Sequence, residues 1–422
     1  MVSRTGRLCA FSAILAVIET VSAEDSIQVE PFQPTPIRIR IDQLPPPYQT
    51  ASARKSPRIV PPSEDRVLRV PLGFRVNVFA EVPSARWLAL TPKGDVLCAA
   101  SNDNKIVLLE DRDRNGVADR VQTFLDRTSG ANLPFGMAFT ADAFYLGNTD
   151  AVLRYPYQRE ADGAIRLGKP QKISDLPGQG YHQHWTRNVV VSPDGKNIYV
   201  SVGSQSNASP EPLPRAAVLE MHLDGSGRRV FAFGLRNPVG LAFHPKSGEL
   251  YVTVNERDGL GDDLVPDFFT RLREGEFYGW PYAYLAPGNL DPRLVRKDQS
   301  DRPDLAARTK TPDVLFESHS AALGLAFYSG TTFPRKYRNG AFVALRGSWN
   351  RSQGTGYKLV FIPFGEDARP KGWYEDFLFG FLLDPRVPTT WGRPVGVLAM
   401  PDGSLLFTEE ANGRVYRVQF VQ

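Results

Sequence analysis

The chain has 422 residues, including 36 glycines and 35 prolines, and 11% of its residues are aromatic. Its formal net charge of +4 is small for this length and no block of lysine or arginine is present, so nucleic acid is not an expected partner. Frequent glycine, proline and aromatic residues with little helical periodicity are typical of an all-β chain with many turns.

The N-terminus has the features of a secretory signal peptide. Arg4 and Arg7 precede the apolar stretch 8–18, and Val21-Ser22-Ala23 offers a small-residue cleavage site. Residues 1–23 are therefore predicted to be a signal peptide and the protein to be periplasmic or secreted; a buried N-terminal strand is the alternative. No later segment has 18 consecutive apolar residues, so no transmembrane segment is expected.

Residues 24–65 are rich in proline. This composition indicates an extended arm that lies on the domain or is partly disordered. Within it, Ile37–Ile41 alternates apolar and polar residues and could add one edge strand. The folded domain is predicted to occupy residues 66–422.

A short phrase recurs six times in that domain. The first copy runs from Trp87 to Cys98, and each copy consists of an apolar run, a turn and a second apolar run, which is typical of a β-hairpin. The further copies begin at Gly136, Asn188, Gly240, Gly324 and Gly396. The first four are about 50 residues apart, in the range of one propeller blade. The sequence therefore predicts an all-β, six-bladed β-propeller with a proline-rich N-terminal arm.

The two ends of the domain are expected to meet. Phe74–Phe79 is predicted to be a strand, and Arg414–Val418 is predicted to be the last strand. In closed propellers the last blade often combines strands from both ends of the chain. The insert between Leu260 and Ala321 is longer than a hairpin needs, and long loops on a rigid scaffold tend to line a binding site.

Polar residues next to the repeats are candidates for the site. His182 and His184 precede the third copy, and a histidine can accept a proton near neutral pH. The basic or amide residues adjoining the fourth, fifth and sixth copies are Arg236, Asn237, Arg346 and Arg393. Several arginines facing one channel would suit a ligand with more than one carboxylate or phosphate. The alternative is that each arginine bridges neighbouring blades.

Taken together, these phrases resemble a known family. They include VPLGF (70–74), GYHQHWTRN (180–188), GLRNPVGLAFHP (234–245), EFYGWP (276–281) and GSWNRS (347–352). From about residue 66 to the end, the chain resembles the soluble sugar dehydrogenases that use pyrroloquinoline quinone (PQQ), and most of all the sorbosone dehydrogenase branch. The resemblance implies a six-bladed propeller that binds PQQ and calcium.

The resemblance also implies residue roles. His184 falls on the general base that removes the hydroxyl proton while hydride leaves for the quinone; His182 is the nearby alternative. Arg236 falls on the arginine that stabilises the charge of the reduced quinone. The implied cofactor-binding residues are Asn132, Asn237, Arg346 and Arg393.

Two calcium sites are considered. By the resemblance, the backbone carbonyls of Asp258 and Gly259 would hold a calcium ion that polarises the quinone. Separately, the segment from Asp111 to Asp119 matches the first half of an EF-hand loop but has Gln122 at the last ligand position. A structural calcium and a polar hairpin turn are both open interpretations there.

The expected function is PQQ-dependent oxidation of an aldose or related sugar aldehyde or hemiacetal at C1. The chain contains no Cys-x-x-Cys-His segment, so electrons are expected to pass to a separate acceptor, a quinone or a cytochrome. Two alternatives are a calcium-dependent lactonase-type hydrolase and a binding propeller without catalysis. The lactonase would need several carboxylates at the channel, and few are expected from these phrases.

Overall fold

The computed structural model describes residues 26–178 and 184–421. In these residues almost all regular structure is β-strand, which confirms the all-β prediction. Six sheets of at least four strands make up the described part, and we number them sheets 1 to 6 in chain order of their first strands. The predicted signal peptide and His182 lie outside the described residues.

We call the first strand of each sheet the one that forms the first half of a repeated phrase, and we give the strands of each sheet starting from it. Sheet 1 contains Ala85–Leu90, Val96–Ala100, Lys105–Glu110 and Arg120–Leu125. Sheet 2 contains Met137–Phe139, Ala143–Gly147, Ala151–Arg159, Ile165–Leu167 and Gln171–Asp175. Sheet 3 contains Val189–Val191, Asn197–Val202, Ala217–His222 and Arg229–Phe233. Sheet 4 contains Asn237–Phe243, Leu250–Asn255, Pro266–Arg271 and Val314–Ser318. Sheet 5 contains Ala322–Phe327, Ala341–Leu345, Lys358–Ile362 and Glu375–Leu378. Sheet 6 contains Pro394–Ala399, Leu405–Glu409, Arg414–Phe420, Phe74–Glu81, Ser26–Phe32 and Val67–Pro71.

The remaining elements are short. The strands outside the six sheets are Arg58–Ile59, Leu382–Asp384, Thr389–Thr390, Val295–Arg296 and Gln299–Ser300. The helical elements are the α-helix Pro303–Ala306 and the 3-10 turns Ile41–Gln43, Ser101–Asp103, Arg127–Ser129, Pro292–Leu294 and Arg335–Tyr337. Across the described residues, no helix has the length and apolar character needed to span a bilayer.

Each repeated phrase forms the first hairpin of one sheet, which confirms the hairpin prediction for all six copies. The six first strands contact one another in a closed order, from sheet 1 through sheet 6 and back to sheet 1. In sheet 6, Arg414–Phe420 pairs with Phe74–Glu81, so this sheet combines both ends of the domain, as predicted.

Glycines in the repeats allow the first strands to approach closely. A Cβ atom added to Gly240 would overlap the backbone carbonyl of Leu323, and one on Gly396 would overlap that of Arg86. In both places the contact is with the first strand of the next sheet. The recurrent glycine is therefore required by the distance between neighbouring first strands.

A threonine hydroxyl joins the strands at both of these contacts. Thr408 Oγ1 accepts a hydrogen bond from the Gly396 N–H at 2.7 Å and donates to the Arg86 carbonyl at 2.6 Å. Thr253 bridges sheets 4 and 5 in the same way. Because Thr408 connects the last sheet to the first, its hydroxyl lies at the point where the ring of sheets closes.

The proline-rich arm lies against the sheets. Its first residues, Ser26–Phe32, form a strand in sheet 6, which the sequence did not predict. The prediction of an edge strand over Ile37–Ile41 is wrong, since only Ile37 makes a bridge there, with Tyr374. Further along, the Lys55 N–H donates to the Trp349 carbonyl at 2.7 Å. The arm therefore contacts the loop that carries Trp349.

The long insert between Leu260 and Ala321 is only partly a loop. It contains Pro266–Arg271 and Val314–Ser318, the outer two strands of sheet 4. Asp267 and His319 within it, and Ala321 at its end, line the cavity described below.

We expect Thr408→Val to lower the free energy of unfolding by about 1–3 kcal/mol. The substitution keeps the side-chain shape but leaves the Gly396 N–H and the Arg86 carbonyl without their shared partner at a fully buried site. Urea unfolding at equilibrium measures the effect. Thr389→Val, which removes an exposed hydroxyl that bonds only to Val387 two residues away, is the control. Equal stability of the two variants would show that the hydroxyl does not hold sheets 1 and 6 together.

Candidate functional site

A cavity of ≈ 280 Å³ lies among residues from sheets 1, 3, 4 and 5 and the loops next to them. Its lining includes His184, Arg236, Asn237, Asp258 and Arg346, five of the predicted site residues. The additional lining residues are Arg86, Trp185, Thr186, Val239, Asn255, Glu256, Asp267, His319, Ala321, Leu323, Trp349 and Asn350. A larger, open groove of ≈ 1200 Å³ between sheets 1 and 2 contains none of the predicted residues.

His184 is held with its ring in a defined position. The side chain is 4% exposed, and Nδ1 lies 3.0 Å from both the carbonyl oxygen and the hydroxyl oxygen of Ser204. The Arg187 guanidinium donates to the His184 carbonyl at 2.8 Å, which fixes the backbone of the loop. Ser204 lies just beyond the second strand of sheet 3, so the rigid sheet positions the imidazole.

These contacts also determine which ring nitrogen carries the proton. The Ser204 hydroxyl donates its hydrogen to the Ser206 carbonyl at 2.7 Å, so it cannot donate to the imidazole. The Ser204 carbonyl can only accept. Nδ1 of His184 must therefore be the protonated nitrogen, and the lone pair of the neutral ring is on Nε2.

The surroundings of His184 favour its neutral form. Burial, and after it the positive charge of Arg236, lower the pKa of His184 well below its ordinary value of 6.5. A neutral imidazole with a fixed Nδ1–H is the form that can take up a proton at Nε2.

Arg236 lies in the cavity wall with its hydrogen-bonding capacity satisfied by the protein. Its five N–H groups donate to Asn207, to the backbone carbonyls of Asn255 and Glu256, and to the Asp258 carboxylate. The guanidinium is 3% exposed. Arg236 therefore orders the loop around Asp258 and places a positive charge beside His184; its predicted contact with a quinone oxygen remains a prediction.

Asn237 presents an oriented amide oxygen. Asn255 Nδ2 donates to the Ala322 carbonyl at 2.6 Å, so Asn255 Oδ1 must accept, and it does so from Asn237 Nδ2 at 3.2 Å. The remaining atom, Asn237 Oδ1, is buried and has no hydrogen-bond partner among the described residues. This residue lines the cavity, so Oδ1 is available to a ligand donor.

Two carboxyl groups in the cavity wall are strongly affected by burial. Burial raises the pKa of Glu256 to about 7 and that of Asp267 to about 6. Asp267 accepts from the backbone N–H groups of Glu256 and Ala321, at 2.8 and 2.6 Å, and so joins sheets 4 and 5. Glu256 Oε1 is buried and has no hydrogen-bond partner within residues 26–178 and 184–421.

The backbone at Asp258 does not fit the calcium site that the resemblance implies. The Asp258 carbonyl accepts hydrogen bonds from Asn207 Nδ2 at 2.9 Å and from Arg257 Nε and Nη2 at 3.1 and 2.9 Å. Its lone pairs are taken, and the adjacent guanidinium would repel a cation. Gly259 follows with φ +92°, and its role as a ligand remains a prediction.

His319 and Asn350 form a second polar cluster that sequence analysis missed. Asn350 Nδ2 lies 2.5 Å from Asp258 Oδ1 and 3.1 Å from His319 Nδ1, while His319 Nε2 lies 3.0 Å from the Gly261 carbonyl. Burial lowers the pKa of His319, but contacts with Asp258 and Gly261 outweigh it and the net shift is upward. The two cavity histidines are therefore shifted in opposite directions.

Arg346 and Arg86 meet at one buried carboxylate, that of Glu410. Burial would raise the pKa of Glu410, but the charges of Arg86, Arg346 and Arg393 outweigh it and lower the pKa to about 2. Glu410 is thus ionised at neutral pH. Both Arg86 and Arg346 line the cavity, so a positively charged wall faces its interior.

Two predicted cofactor residues do not line the cavity. Arg393 donates to the carbonyls of Gly347 and Arg346, at 2.9 and 3.4 Å, and so ties sheet 6 to sheet 5 as the bridging alternative describes. Asn132 Nδ2 donates to Asp150 at 2.9 Å within sheet 2. The structure does not bring either side chain to the cavity, and their binding to a cofactor remains a prediction.

The EF-hand-like segment gathers its acidic residues. Carboxylate oxygens of Asp111, Asp113 and Asp119 lie within 4.8 Å of one another. Backbone N–H groups of the same loop also bond to them, for instance Gly116 to Asp111 at 3.0 Å. Both a cation and a polar turn are compatible with this arrangement, and none of the three aspartates lines the cavity.

The position of Arg86 in the sequence indicates a place at the cavity. Arg236 and Arg393 precede the repeated phrases at Gly240 and Gly396 by a few residues, and Arg86 directly precedes the phrase that begins at Trp87. His319, Asn350 and Glu410 have no comparable signal, because contacts between distant parts of the chain bring His319 and Asn350 to the cavity and Glu410 to Arg86 and Arg346.

Comparison with known proteins places the chain in a family. The family model described as TrAA12-like matches residues 68–266 and 291–420. The chain belongs to the TrAA12-like family. An uncharacterized protein of Borreliella burgdorferi is 29% identical over 364 residues, which cover 84% of this chain and 91% of that protein. A PQQ-dependent pyranose dehydrogenase of Coprinopsis cinerea is 23% identical over 322 residues, 58% of this chain and 40% of that protein.

Solved structures share the fold of this family member. The holo form of the PQQ domain of the Coprinopsis cinerea pyranose dehydrogenase aligns with a TM-score of 0.68 and 19% identity, over 86% of this chain and 100% of that domain. A Trichoderma reesei protein of Carbohydrate-Active Enzymes Family AA12 aligns with a TM-score of 0.69 and 18% identity, over 83% of this chain and 97% of that one. The resemblance to soluble PQQ-dependent sugar dehydrogenases is thereby confirmed at the level of the family.

The raised pKa of Glu256 predicts a pH-dependent stability. The folded state holds this proton more tightly than the unfolded state, whose ordinary pKa is 4.5, so the resulting stability is present at pH 4 and is lost as pH rises through about 7. Between pH 5 and pH 8, native protein should lose about 2–3 kcal/mol of stability through this group.

We expect Glu256→Gln to remove most of that loss, since glutamine does not titrate. Urea unfolding at pH 5 and pH 8 measures the difference for native protein and variant. Glu366→Gln, at an exposed carboxylate, should change nothing. If native protein and Glu256→Gln show the same pH dependence, then Glu256 is ionised in the folded state at pH 5 and the account of its burial fails.

Proposed function

We propose that this protein oxidises a sugar in the cavity lined by His184, with PQQ as its cofactor. The substrate class is an aldose or a related sugar aldehyde or hemiacetal, attacked at C1. The proposal is supported by membership of the TrAA12-like family. The observation that carries it is the imidazole of His184, which is held by Ser204 with Nε2 as proton acceptor in a cavity with a cationic wall.

The fold is interpreted as a six-bladed propeller, with one blade per sheet. The closed order of contacts among the six first strands supports this interpretation. The strand Ser26–Phe32 then makes the N-terminal arm part of the last blade. With a secretory signal at residues 1–23, the enzyme would act in the periplasm or outside the cell.

The cavity lining suits PQQ, which is a planar tricarboxylic acid. Arg346 would hold one of its acid groups, and Asn237 Oδ1 offers an acceptor to a ring N–H. Trp185 and Trp349 also line the cavity, and flat indole rings suit a flat ligand. Bound PQQ would supply the hydride acceptor for oxidation.

The protein contributes the proton transfer. His184 Nε2 would take the hydroxyl proton at the sugar carbon that loses hydride, so a C–O single bond becomes a carbonyl. The Nδ1–H to Ser204 bond keeps the ring aligned while Nε2 is protonated. His319 is less suited as the base, because its Nδ1 faces Asn350 and Asp258, and its Nε2 faces the Gly261 carbonyl.

One observation supports the lactonase alternative, and others argue against it. Contrary to the expectation of few carboxylates, Glu256, Asp258 and Asp267 all line the cavity. Asp267, however, is occupied by two backbone N–H groups and Asp258 by Arg236 and Asn350. In the part of the chain that the structure describes, the acidic or histidine side chains close enough to share a metal are in the loop at Asp111, outside the cavity. Dehydrogenase function is therefore favoured.

The electrons would leave through a separate acceptor, a quinone or a cytochrome, since the sequence has no haem-attachment segment. Specificity for a sorbosone-like substrate is the finer expectation from the sequence motifs. A panel of sugars tested with PQQ-loaded protein and an artificial dye identifies the substrate, and lactone hydrolysis measured without PQQ would favour the hydrolase instead.

We expect His184→Gln to lower kcat for dye-linked sugar oxidation by about 10²–10⁴-fold, because glutamine cannot take up a proton at neutral pH. The affinity for PQQ should change little. His244→Gln is the matched control: His244 is 1% exposed and stacks on Phe364, away from the cavity. Near-native kcat in His184→Gln, with PQQ bound, would show that another group is the base.

The fall of kcat at low pH, the acid limb of its pH profile, should also follow the protonation of His184. Because its pKa lies well below 6.5, the imidazole stays neutral, and the enzyme stays active, as pH falls through 6.5. Activity should decline only at lower pH, and this limb should disappear in His184→Gln. A limb centred at or above pH 6.5 that the variant lacks would contradict the assigned environment of the ring.

A further inference from the structure

Arg86 is a buried cation that lines the cavity and whose hydrogen-bond donors are not all paired. It lies on the first strand of sheet 1, is 8% exposed and lines the cavity. Its guanidinium carbon lies 5.0 Å from the ring centroid of Trp185 and 5.9 Å from that of Phe135. Nη1 bonds to Glu410, but Nε is buried and has no acceptor among the described residues. A buried charged donor without an acceptor is costly unless a ligand provides one.

Positive charge exceeds negative charge around this group. Glu410 lies between Arg86 and Arg346, and Arg393 is close enough to lower the pKa of Glu410 further. The neighbouring Glu409 accepts hydrogen bonds from the backbone N–H groups of Arg393, Ala411 and Asn412, and burial raises its pKa to about 7. Three guanidinium groups thus surround one fully ionised carboxylate. In a buried setting, such an excess favours binding of a further anion.

We infer that Arg86 binds an acid group of the cavity ligand together with Arg346, and that Glu410 is the internal anion that neutralises both side chains while the ligand is absent. The inference rests on the proposed function for the identity of the ligand, PQQ. It assigns a binding role to Arg86, and it makes Glu410 a competitor of the ligand for the same two cations.

Competition gives Arg86 and Glu410 opposite effects. Removing the Arg86 charge takes away a donor, so a carboxylate ligand should bind more weakly, by about 10–150-fold. Removing the Glu410 charge leaves the buried Arg86 and the partly exposed Arg346 without their shared anion, so the ligand-free protein should melt at a lower temperature. The ligand then replaces the missing charge and should bind several-fold more tightly than to native protein.

The test is an equilibrium titration of ligand-free protein, with melting temperatures measured with and without ligand. The variants are Arg86→Gln and Glu410→Gln. Arg271→Gln and Glu249→Gln are matched controls, because these two residues form a partly buried ion pair at the far end of the strand that begins near Asp267. Two ligands are titrated: PQQ, and benzene-1,2,4-tricarboxylate, which carries acid groups without a quinone.

We expect weaker binding of both ligands to Arg86→Gln, tighter binding to Glu410→Gln, and a larger ligand-induced rise in Tm in Glu410→Gln than in native protein. Both controls should bind as native protein does. If Glu410→Gln is recovered folded only with ligand, that supports the inference; if ligand does not rescue it, the role of Glu410 is overturned.

Native affinity in Arg86→Gln, or weaker affinity in Glu410→Gln, would overturn the inference. The proposed function fails separately: native protein that binds benzene-1,2,4-tricarboxylate through Arg86 but does not bind PQQ keeps the anion site and loses the dehydrogenase.

Discussion

The close contact between neighbouring first strands is the constraint on which the rest of the molecule depends. A glycine in one strand lies against the backbone of the next, and at two of the junctions a threonine hydroxyl fills the gap between them. At the closing junction, Thr408 donates to the carbonyl of Arg86, whose side chain lines the cavity. The interaction that closes the ring therefore also fixes a residue of the site.

The chemistry of the cavity follows from how its charges are paired. Arg236 donates its five N–H groups to Asn207 and to residues 255–258, and burial together with the charge of Arg236 keeps His184 neutral. Asp258 in turn shifts the pKa of His319 upward. Two histidines in one cavity thus have opposite tendencies, which supports the proposal that His184 is the proton acceptor. Arg86 and Arg346, which also line the cavity, are paired with Glu410.

Local features of the sequence predicted the hairpins and part of the site. Turns such as Pro193-Asp194-Gly195 specify a hairpin within a dozen residues. His184 and Arg236 precede first strands, Asn237 begins one, and all three line the cavity. Such information is contained in short segments. It does not depend on how distant segments pack.

The features that the sequence did not predict depend on contacts between distant segments. Arg86 and Glu410 are 324 positions apart, so no local pattern announces their pairing. The strand Ser26–Phe32 forms because the last sheet offers it an edge, and Arg393 turns to the Gly347 carbonyl instead of the cavity. The orientation of the Asp258 carbonyl depends on where the Arg257 side chain folds, which the sequence does not encode locally.

Tryptophan fluorescence during a PQQ titration tests most directly whether this cavity is the cofactor site. Trp185 and Trp349 both line it, so binding there should quench their emission. We predict quenching that saturates at one PQQ per chain, and a loss of most of the quenching in the Trp185→Phe/Trp349→Phe double variant. Saturable PQQ binding with the same quenching in the double variant would place the cofactor elsewhere and contradict the account.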